Sequence, residues 1–164
     1  MAEFWDAYDR DFHRMDGVTL TRGKPLPPNV YHLVCDTAVR HADGTYLLMR
    51  RDLRKHRGGL WELTAGGSAL RGETPAACAA RELREETGIS AETLTEIGRA
   101  VQPERHSLYV EFLCAADCPK DAVTLQPGET MDFRWVRREE LAALEEELAS
   151  ARILRFLPGE EVRK

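Results

Sequence analysis

Apolar and polar residues alternate along most of the central chain, a pattern that predicts strands of a partly buried sheet. The longest such runs are VYHLVCDTAV at 30–39, TYLLMRRD at 45–52, TLTEIGRAVQ at 93–102 and HSLYVEFLCAA at 106–116. Asp43–Gly44 is expected to form a turn between the first two runs. A short strand is expected at Trp61–Thr64 ahead of a glycine turn, and another at Phe133–Val136 after a long loop.

Between these runs lies a segment with helical signals at both ends. Thr74 fits an N-cap, Pro75 the first helical position and Gly88 a C-terminal stop. The sequence therefore predicts a helix over Pro75–Thr87. The side expected to pack against the sheet holds Ala76, Ala79, Ala80, Leu83 and Thr87.

A second helix is expected at the end of the chain, over residues 137–154. Its apolar positions repeat at helical spacing, at Leu141, Leu144, Leu148 and Ala151. Strands on both sides of one helix, followed by a closing helix, predict one compact α/β domain. We assign residues 30–164 to this domain and residues 1–29, which end in the turn-rich RGKPLPPN, to an N-terminal extension.

Composition and charge argue against several classes of function. Lys+Arg number 23 and Asp+Glu 28, giving a formal net charge of -5, which does not favour a stable, sequence-independent nucleic-acid complex. No apolar run has the length of a membrane span, and the charged start MAEFWDAYDR is unlike a signal peptide. The four cysteines show no CxxC pair, so we expect free thiols in a reducing cytoplasm.

Three glutamates, Glu82, Glu85 and Glu86, project from one side of the predicted first helix. Side chains three or four positions apart on a helix have Cβ atoms about 5–6 Å apart, so these like charges repel unless something neutralises them. A hard divalent cation does so, since it prefers carboxylate oxygens, and the preceding glycines would let a backbone carbonyl approach it. The alternative is an exposed helix held by local ion pairs such as Arg81 with Glu85.

The stretch Gly67–Ile89 resembles the Nudix box, Gly-x5-Glu-x7-Arg-Glu-U-x-Glu-Glu-x-Gly-U, in which U is a bulky apolar residue. Every defined position is filled, by Gly67, Glu73, Arg81, Glu82, Leu83, Glu85, Glu86, Gly88 and Ile89. So long a match is far more specific than a lone glycine motif. The resemblance implies the α/β/α Nudix sandwich with a mixed sheet, and hydrolysis of a small-molecule nucleoside diphosphate derivative, with a homodimer possible.

The resemblance also implies roles within the box. Glu82 and Glu86 would be the main ligands of Mg²⁺ or Mn²⁺, with Glu85 assisting and Gly66 offering its carbonyl. The orienting residues would be Gly67, Glu73 and Arg81.

The predicted catalytic set is Glu85, Arg81 and Glu129. Glu129, in the long loop before the last strand, is the first choice for the general base that activates water, and Glu104 is the second. A solvated loop carboxylate is the alternative for both.

Three residues are expected to contact substrate. Arg50 and Arg51 end a strand near the expected site and could donate to a phosphate, whereas Trp61 would stack on a base or belong to the core. The basic run Arg54–Arg57 would lie near the pocket or simply serve solubility.

The N-terminal segment resembles the one that precedes the core in Nudix proteins related to isopentenyl-diphosphate isomerase. His32 matches a metal-binding histidine of the true isomerases, which carry Cys-Gly-His-Pro where this chain has TAGGSAL, Thr64–Leu70. With no Cys or His there, and with an intact box, hydrolysis is favoured and His32 is expected to be a strand histidine satisfied by a neighbour. An isomerase-like enzyme and an inactive binding module are the alternatives.

Overall fold

The structure, a computed structural model, describes residues 1–159. In this part of the chain the strands are β1 Phe4–Tyr8, β2 Arg14–Thr21, β3 His32–His41, β4 Tyr46–Arg51, β5 Trp61–Glu62, β6 Thr64–Ser68, β7 Thr93–Gln102, β8 Ser107–Ala116 and β9 Thr130–Val136. The α-helices are α1 Pro75–Thr87 and α2 Arg138–Ala143. Short 3-10 turns occupy Pro103–Arg105, Glu145–Glu147 and Arg152–Phe156.

Strands β3 to β9 form one mixed sheet with β3 at its centre. β3 runs parallel to β8, from His32 opposite Ser107 to His41 opposite Ala116, whereas the other pairs are antiparallel. On its other side β3 pairs mainly with β6 and meets β4 at Arg40 opposite Tyr46. β4 continues the sheet to β5 and β9.

The alternation along β4 divides the core between the two faces of the sheet. Leu47 and Met49 pack in the same cluster as Leu83 of α1. Tyr46 and Leu48 point the other way and pack with Leu141 of α2 and other side chains of the C-terminal segment. Helical layers on both sides of a mixed sheet confirm the predicted α/β/α sandwich.

Helix α1 has the predicted limits. The Thr74 hydroxyl accepts a hydrogen bond from the Ala77 amide at 3.2 Å, and Gly88 ends the helix at φ 75° with its amide donating to the Arg84 carbonyl. The predicted buried face was partly wrong: Ala76 is exposed and Ala80 only half-buried, whereas Cys78 is buried with Ala79, Leu83 and Thr87. The helix is rotated toward the start of β3, where Cys78 packs in one cluster with Tyr31, Leu33 and Cys35.

The predicted glycine turn after Thr64 is instead strand β6. Gly66 lies opposite Asp36 of β3, and Gly67 opposite Cys35. A Cβ on Gly66 would lie 2.0 Å from the Asp36 carboxylate and 2.5 Å from the Cys35 carbonyl oxygen. The two glycines therefore permit a close approach of strands rather than a change of direction.

The predicted closing helix is also interrupted. α2 ends at Ala143, and Leu148 is extended, with φ -85° and ψ 135°, where it forms a bridge to Trp61. The Ala149 amide donates to the Trp61 carbonyl at 2.7 Å. This pairing with β5 outweighs the local helical spacing.

The N-terminal segment, to which the sequence assigned no strands, is the antiparallel hairpin β1–β2. Tyr8 and Tyr31 exchange backbone hydrogen bonds at 2.9 Å, and the Trp5 ring stacks on His32 with centroids 4.3 Å apart. Trp5 and Leu20 are buried in a small core of the hairpin with Val30. The hairpin is therefore packed against the start of β3.

The longest helix in residues 1–159 is α1, with 13 residues. No helix within that range combines the length and apolar character that a membrane crossing requires.

Candidate active site

An ion-pair network around Arg81 organises the acidic side of α1. Its guanidinium donates to both carboxylate oxygens of Glu73, at 2.8 and 3.0 Å, and to Glu82 at 2.6 Å. A longer contact, 3.4 Å, reaches Glu85. Burial would raise the pKa of Glu73, but hydrogen bonds from Arg81 and the Leu70 amide outweigh it and lower that pKa. Arg81 thus joins the loop before α1 to the helix.

The carboxylate of Glu82 lies against strand β6. A Cβ on Gly67 would be 2.5 Å from Glu82 Oε1, and the Cys78 thiol, one turn before Glu82, donates to the Gly67 carbonyl at 3.5 Å. Any side chain larger than glycine at position 67 would displace the glutamate. Gly67 therefore leaves the space that the Glu82 carboxylate occupies beside β6.

Glu86 lies in a strongly acidic environment. Burial, followed by the charges of Glu62 and Glu82, raises its pKa to about 8, while Lys55 opposes the shift. Burial also raises the pKa of Glu82 despite its bond to Arg81. The negative charge of these carboxylates is therefore incompletely compensated by the protein, which favours a bound cation.

The three glutamates share one side of α1 but do not converge on a single point. In residues 1–159, ligand atoms from three His, Cys, Asp or Glu side chains lie within 4.8 Å of one another only at Asp9, Asp11 and His13, in the turn of the hairpin. Glu85, at 48% side-chain exposure, points more toward solvent than Glu82, at 14%. The bonds from Arg81 hold both carboxylates toward its own guanidinium.

Two cavities meet at Glu86. One, of about 460 Å³, is termed the Tyr109 cavity; the other, of about 340 Å³, is termed the hairpin cavity. Lys55, Gly66 and Glu86 line both of them. The charged lining of the Tyr109 cavity consists of Arg51, Lys55, Arg57, Arg105 and Arg152 with Asp36, Glu62 and Glu86. The charged lining of the hairpin cavity consists of Glu3, Arg22, Lys55, Arg81, Glu82, Glu85, Glu86 and Glu129.

Of the three predicted substrate-binding residues, Arg51 lines the Tyr109 cavity. Its guanidinium is bound to Glu62 and to the His56 carbonyl. Arg50 instead donates to the Gly59 carbonyl at 3.0 Å, and Trp61 packs with the C-terminal core. Neither Arg50 nor Trp61 lines either of the two cavities.

The two carboxylates predicted as alternative bases occupy different surroundings. Glu129 lines the hairpin cavity and forms an ion pair with Lys55. Glu104 is exposed in the 3-10 turn Pro103–Arg105 and lines neither cavity.

A buried charge cluster that the sequence analysis missed forms one wall of the Tyr109 cavity. Arg152 binds the carboxylates of Asp36 and Glu111, and its guanidinium lies 3.5 Å from the centre of the Tyr109 ring. Burial and then Glu111 raise the pKa of Asp36 to about 7. The available signal was a single acidic residue inside each of two apolar strands, Asp36 in β3 and Glu111 in β8.

His32 is a structural histidine, as predicted. Its ring nitrogens contact the hydroxyls of Ser68 and Ser107 at 3.2 and 2.9 Å. Burial, followed by the nearby His106, lowers the pKa of His32 to about 4. The four cysteines are unpaired, as expected.

Comparison with known proteins agrees with this architecture. The sequence model of the NUDIX domain matches residues 25–157. An uncharacterised Nudix hydrolase of Listeria monocytogenes is 32% identical over 143 residues, covering 87% of this chain and 84% of that protein. An isopentenyl-diphosphate Delta-isomerase of Streptomyces avermitilis is 38% identical over 103 residues, covering 58% and 52% respectively.

The fold is shared with a Deinococcus radiodurans protein of known crystal structure. The TM-score is 0.72 with 18% identity, and the match covers 93% of this chain and 96% of the other. The family match over most of the chain and the similarity to the Listeria protein show that this chain belongs to the Nudix hydrolase family.

Proposed function

We propose that this chain is a metal-dependent hydrolase that cleaves the diphosphate linkage of a nucleoside diphosphate derivative. The observation that carries the proposal is the place of Glu86, a carboxylate with a raised pKa at the junction of two cavities. A divalent cation is favoured beside Glu86 and Glu82. The basic side chains of the Tyr109 cavity favour the phosphates of a substrate that such an ion would bind.

The carboxylate oxygens are of the kind that Mg²⁺ prefers, with Mn²⁺ as a substitute, and Glu82 and Glu85 would turn from Arg81 to meet on one ion. Glu82 and Glu86 would hold the ion, Glu85 would assist directly or through water, and Gly66 would offer its carbonyl. The close approach of the Glu82 carboxylate to Gly67, which a Cβ there would prevent, supports the assignment of Glu82. When bound, the ion neutralises charge that develops on the phosphates and lowers the pKa of its water.

The remaining box residues orient these groups. Arg81 holds Glu82 against β6 through Nη1, and both carboxylate oxygens of Glu73 accept hydrogen bonds from the Nε–Nη2 edge of the Arg81 guanidinium. Glu129 is the proposed general base, which takes a proton from the attacking water at a carboxylate oxygen. Its place in the lining of the same cavity as Glu82 supports it over Glu104.

On the substrate side, Arg51 and Lys55 would contact the phosphates. Both line the Tyr109 cavity, and Lys55 reaches the hairpin cavity as well. Arg50 and Trp61 are set aside as substrate contacts, because Trp61 packs with the C-terminal core and the Arg50 guanidinium lies 5.7 Å from its ring. The Tyr109 cavity, at about 460 Å³, is within the usual range for small-molecule sites.

The rival activity is isomerisation of a short diphosphate. Strand β6, Thr64–Ser68, contains neither Cys nor His, and His32 is enclosed by two serines and Trp5. Incubation with isopentenyl diphosphate should therefore yield no dimethylallyl diphosphate, and its formation would replace the hydrolase proposal. A binding module without activity would not need the three carboxylates of the box, and all three are present.

The deciding experiment is a panel of nucleoside diphosphate derivatives incubated with Mg²⁺. CDP-type and CTP-type nucleotides, nucleotide sugars, dinucleotides and oxidised nucleotides are the classes to include. We expect cleavage of at least one class, abolished by excess EDTA and restored by Mg²⁺ or Mn²⁺. No cleavage of any class, or full activity in EDTA, would refute the proposal. A cytoplasmic location and a homodimer remain predictions.

A further inference from the structure

The open end of the N-terminal hairpin forms part of the wall of the hairpin cavity. Glu3 and Arg22, which flank β1 and β2, line it together with Glu82, Glu85 and Glu86. The Arg22 amide donates to the Glu3 carbonyl at 3.0 Å, so the two residues are held side by side. Residues 1–24 lie outside the segment that the NUDIX domain model matches, so this wall is additional to the matched domain.

The hairpin is fixed to the loop that leads into α1. The Arg71 amide donates to the Phe4 carbonyl at 2.9 Å, and the Gly72 amide donates to the Asp6 carboxylate at 2.8 Å. Trp5 is buried between these contacts and His32. The position of the hairpin relative to the Glu73–Arg81 ion pair is therefore set by hydrogen bonds from the backbone amides of Arg71 and Gly72.

The Arg22 guanidinium has hydrogen-bond donors that are free to bind a ligand. One of its nitrogens, Nη1, donates to Glu3 at 3.0 Å, and Glu3 also accepts from the Trp5 indole at 2.7 Å. Glu3 is 31% exposed in its side chain, whereas Arg22 is 68% exposed. Within residues 1–159 Arg22 has no other side-chain hydrogen bond, so one edge of its planar donor group faces open space.

The other cations of the hairpin cavity, Lys55 and Arg81, form ion pairs with carboxylates to which we assign roles in the reaction. Arg81 is bound to Glu73, Glu82 and Glu85, and Lys55 is paired with Glu129. A polyphosphate in this acidic cavity would have a metal ion on the side that faces α1. Because the cavity is acidic, the phosphates on the opposite side, toward the hairpin, also need a cation. Arg22 has both the exposure and the free donors to provide it.

We propose that the hairpin completes the active site and that Arg22 binds a phosphate group of the substrate, as a specificity-determining residue. This inference rests on the proposed function for the identity of the substrate. Residues outside the matched domain would then favour substrates whose phosphate chain reaches the hairpin.

The test compares Arg22→Ala with a matched control, Arg14→Ala. Arg14 belongs to the same hairpin and forms a similar exposed ion pair, with Asp16 at 3.4 Å, but lines neither cavity. With the best substrate of the panel we expect Arg22→Ala to raise KM about 10-fold or more, as loss of a charged hydrogen bond would, with kcat within about 3-fold. Arg22→Lys keeps the positive charge and should raise KM less than Arg22→Ala does. Arg14→Ala should have the KM of the wild type.

Affinity for ADP, measured by calorimetry on the same variants, provides a readout that does not depend on turnover. Weaker ADP binding by Arg22→Ala than by Arg14→Ala supports the inference even if no panel member is cleaved, an outcome that would count against the proposed function alone. Equal KM and equal ADP affinity in the two variants would overturn the Arg22 assignment, as would an absence of ADP binding by the wild-type chain. Thermal unfolding establishes that each variant is folded, and Arg22→Gln replaces Arg22→Ala if the alanine variant is not.

Discussion

Lys55 and Glu129 form an ion pair that joins the loop between β4 and β5 to the loop before β9. The Asp52 amide also donates to the Glu129 carbonyl at 2.9 Å, so side chain and backbone link the same two loops. Because Lys55 lines both cavities, this pair lies where they meet. The pairing keeps the Glu129 carboxylate beside the space in which we propose that the diphosphate binds.

The first prediction concerns this carboxylate. If Glu129 accepts the proton of the attacking water, Glu129→Gln should lower kcat by about 10²–10⁴-fold with little change in KM. Steady-state kinetics on the best substrate checks this, with Glu104→Gln as the control. A crippled Glu104→Gln beside a near-normal Glu129→Gln would move the role to Glu104, and no change in either would leave Glu85.

The second prediction concerns metal binding. Glu86→Gln removes the carboxylate charge at the junction of the cavities and should reduce kcat by at least about 10²–10³-fold, the scale for loss of one preorganised electrostatic group. Circular dichroism should show an unchanged fold, and Glu145→Gln, a change on the exposed C-terminal segment, should be neutral. Mn²⁺ binding followed by electron paramagnetic resonance should weaken in Glu86→Gln only. An active Glu86→Gln variant would exclude the proposed ligand set.

The third prediction concerns the buried cluster of Arg152 with Asp36 and Glu111. Glu111 is fully buried, so Arg152→Met leaves two acids without their counter-charge and should lower the free energy of unfolding by about 3–5 kcal/mol. Urea unfolding measures this difference. Arg14→Met serves as the control, because Arg14 is exposed and its ion pair is with the exposed Asp16. Equal stability of the two variants would show that the cluster contributes little.

The fourth prediction concerns pH. The pKa of His32 falls from 6.5 to about 4 in the folded protein, so the unfolded chain binds the extra proton between these values. The stability that neutral His32 provides is thus complete above about pH 6.5 and is lost as pH falls toward 4, with a slope of up to about 1.4 kcal/mol per pH unit. Urea unfolding at a series of pH values should show a shallower slope in His32→Gln. An identical slope in both proteins would contradict the lowered pKa.

The sequence predicts those elements whose limits depend on residues close together in the chain. Thr74, Pro75 and Gly88 set the limits of α1, and each acts through neighbours within four residues, so the helix and its acidic face were predictable. The interruption at Leu148 was not, because its bridge to Trp61 joins distant parts of the chain. The sequence predicts a turn at Gly66 where the structure has a strand, because the close approach of β3 is a tertiary contact.

The residues of the candidate site likewise fall into those that the sequence predicts and those that only the structure brings together. The box residues follow from their spacing on one helix and one loop. Arg152 and Asp36 lie 116 positions apart, and Arg22 reaches the hairpin cavity only because the hairpin packs on β3. No spacing rule relates such residues, and only the isolated charges within apolar strands indicated that a partner was needed.

The parallel pairing of β3 with β8 has a consequence for folding kinetics. β4, β5, β6, α1 and β7 all belong to the connection between these two strands, so closing it brings together residues about 75 positions apart. Such non-local pairing delays the rate-limiting step relative to the formation of a single helix. During refolding, α1 should therefore gain helical signal before the cavity around Glu86 exists, and recovery of activity should follow the formation of the sheet.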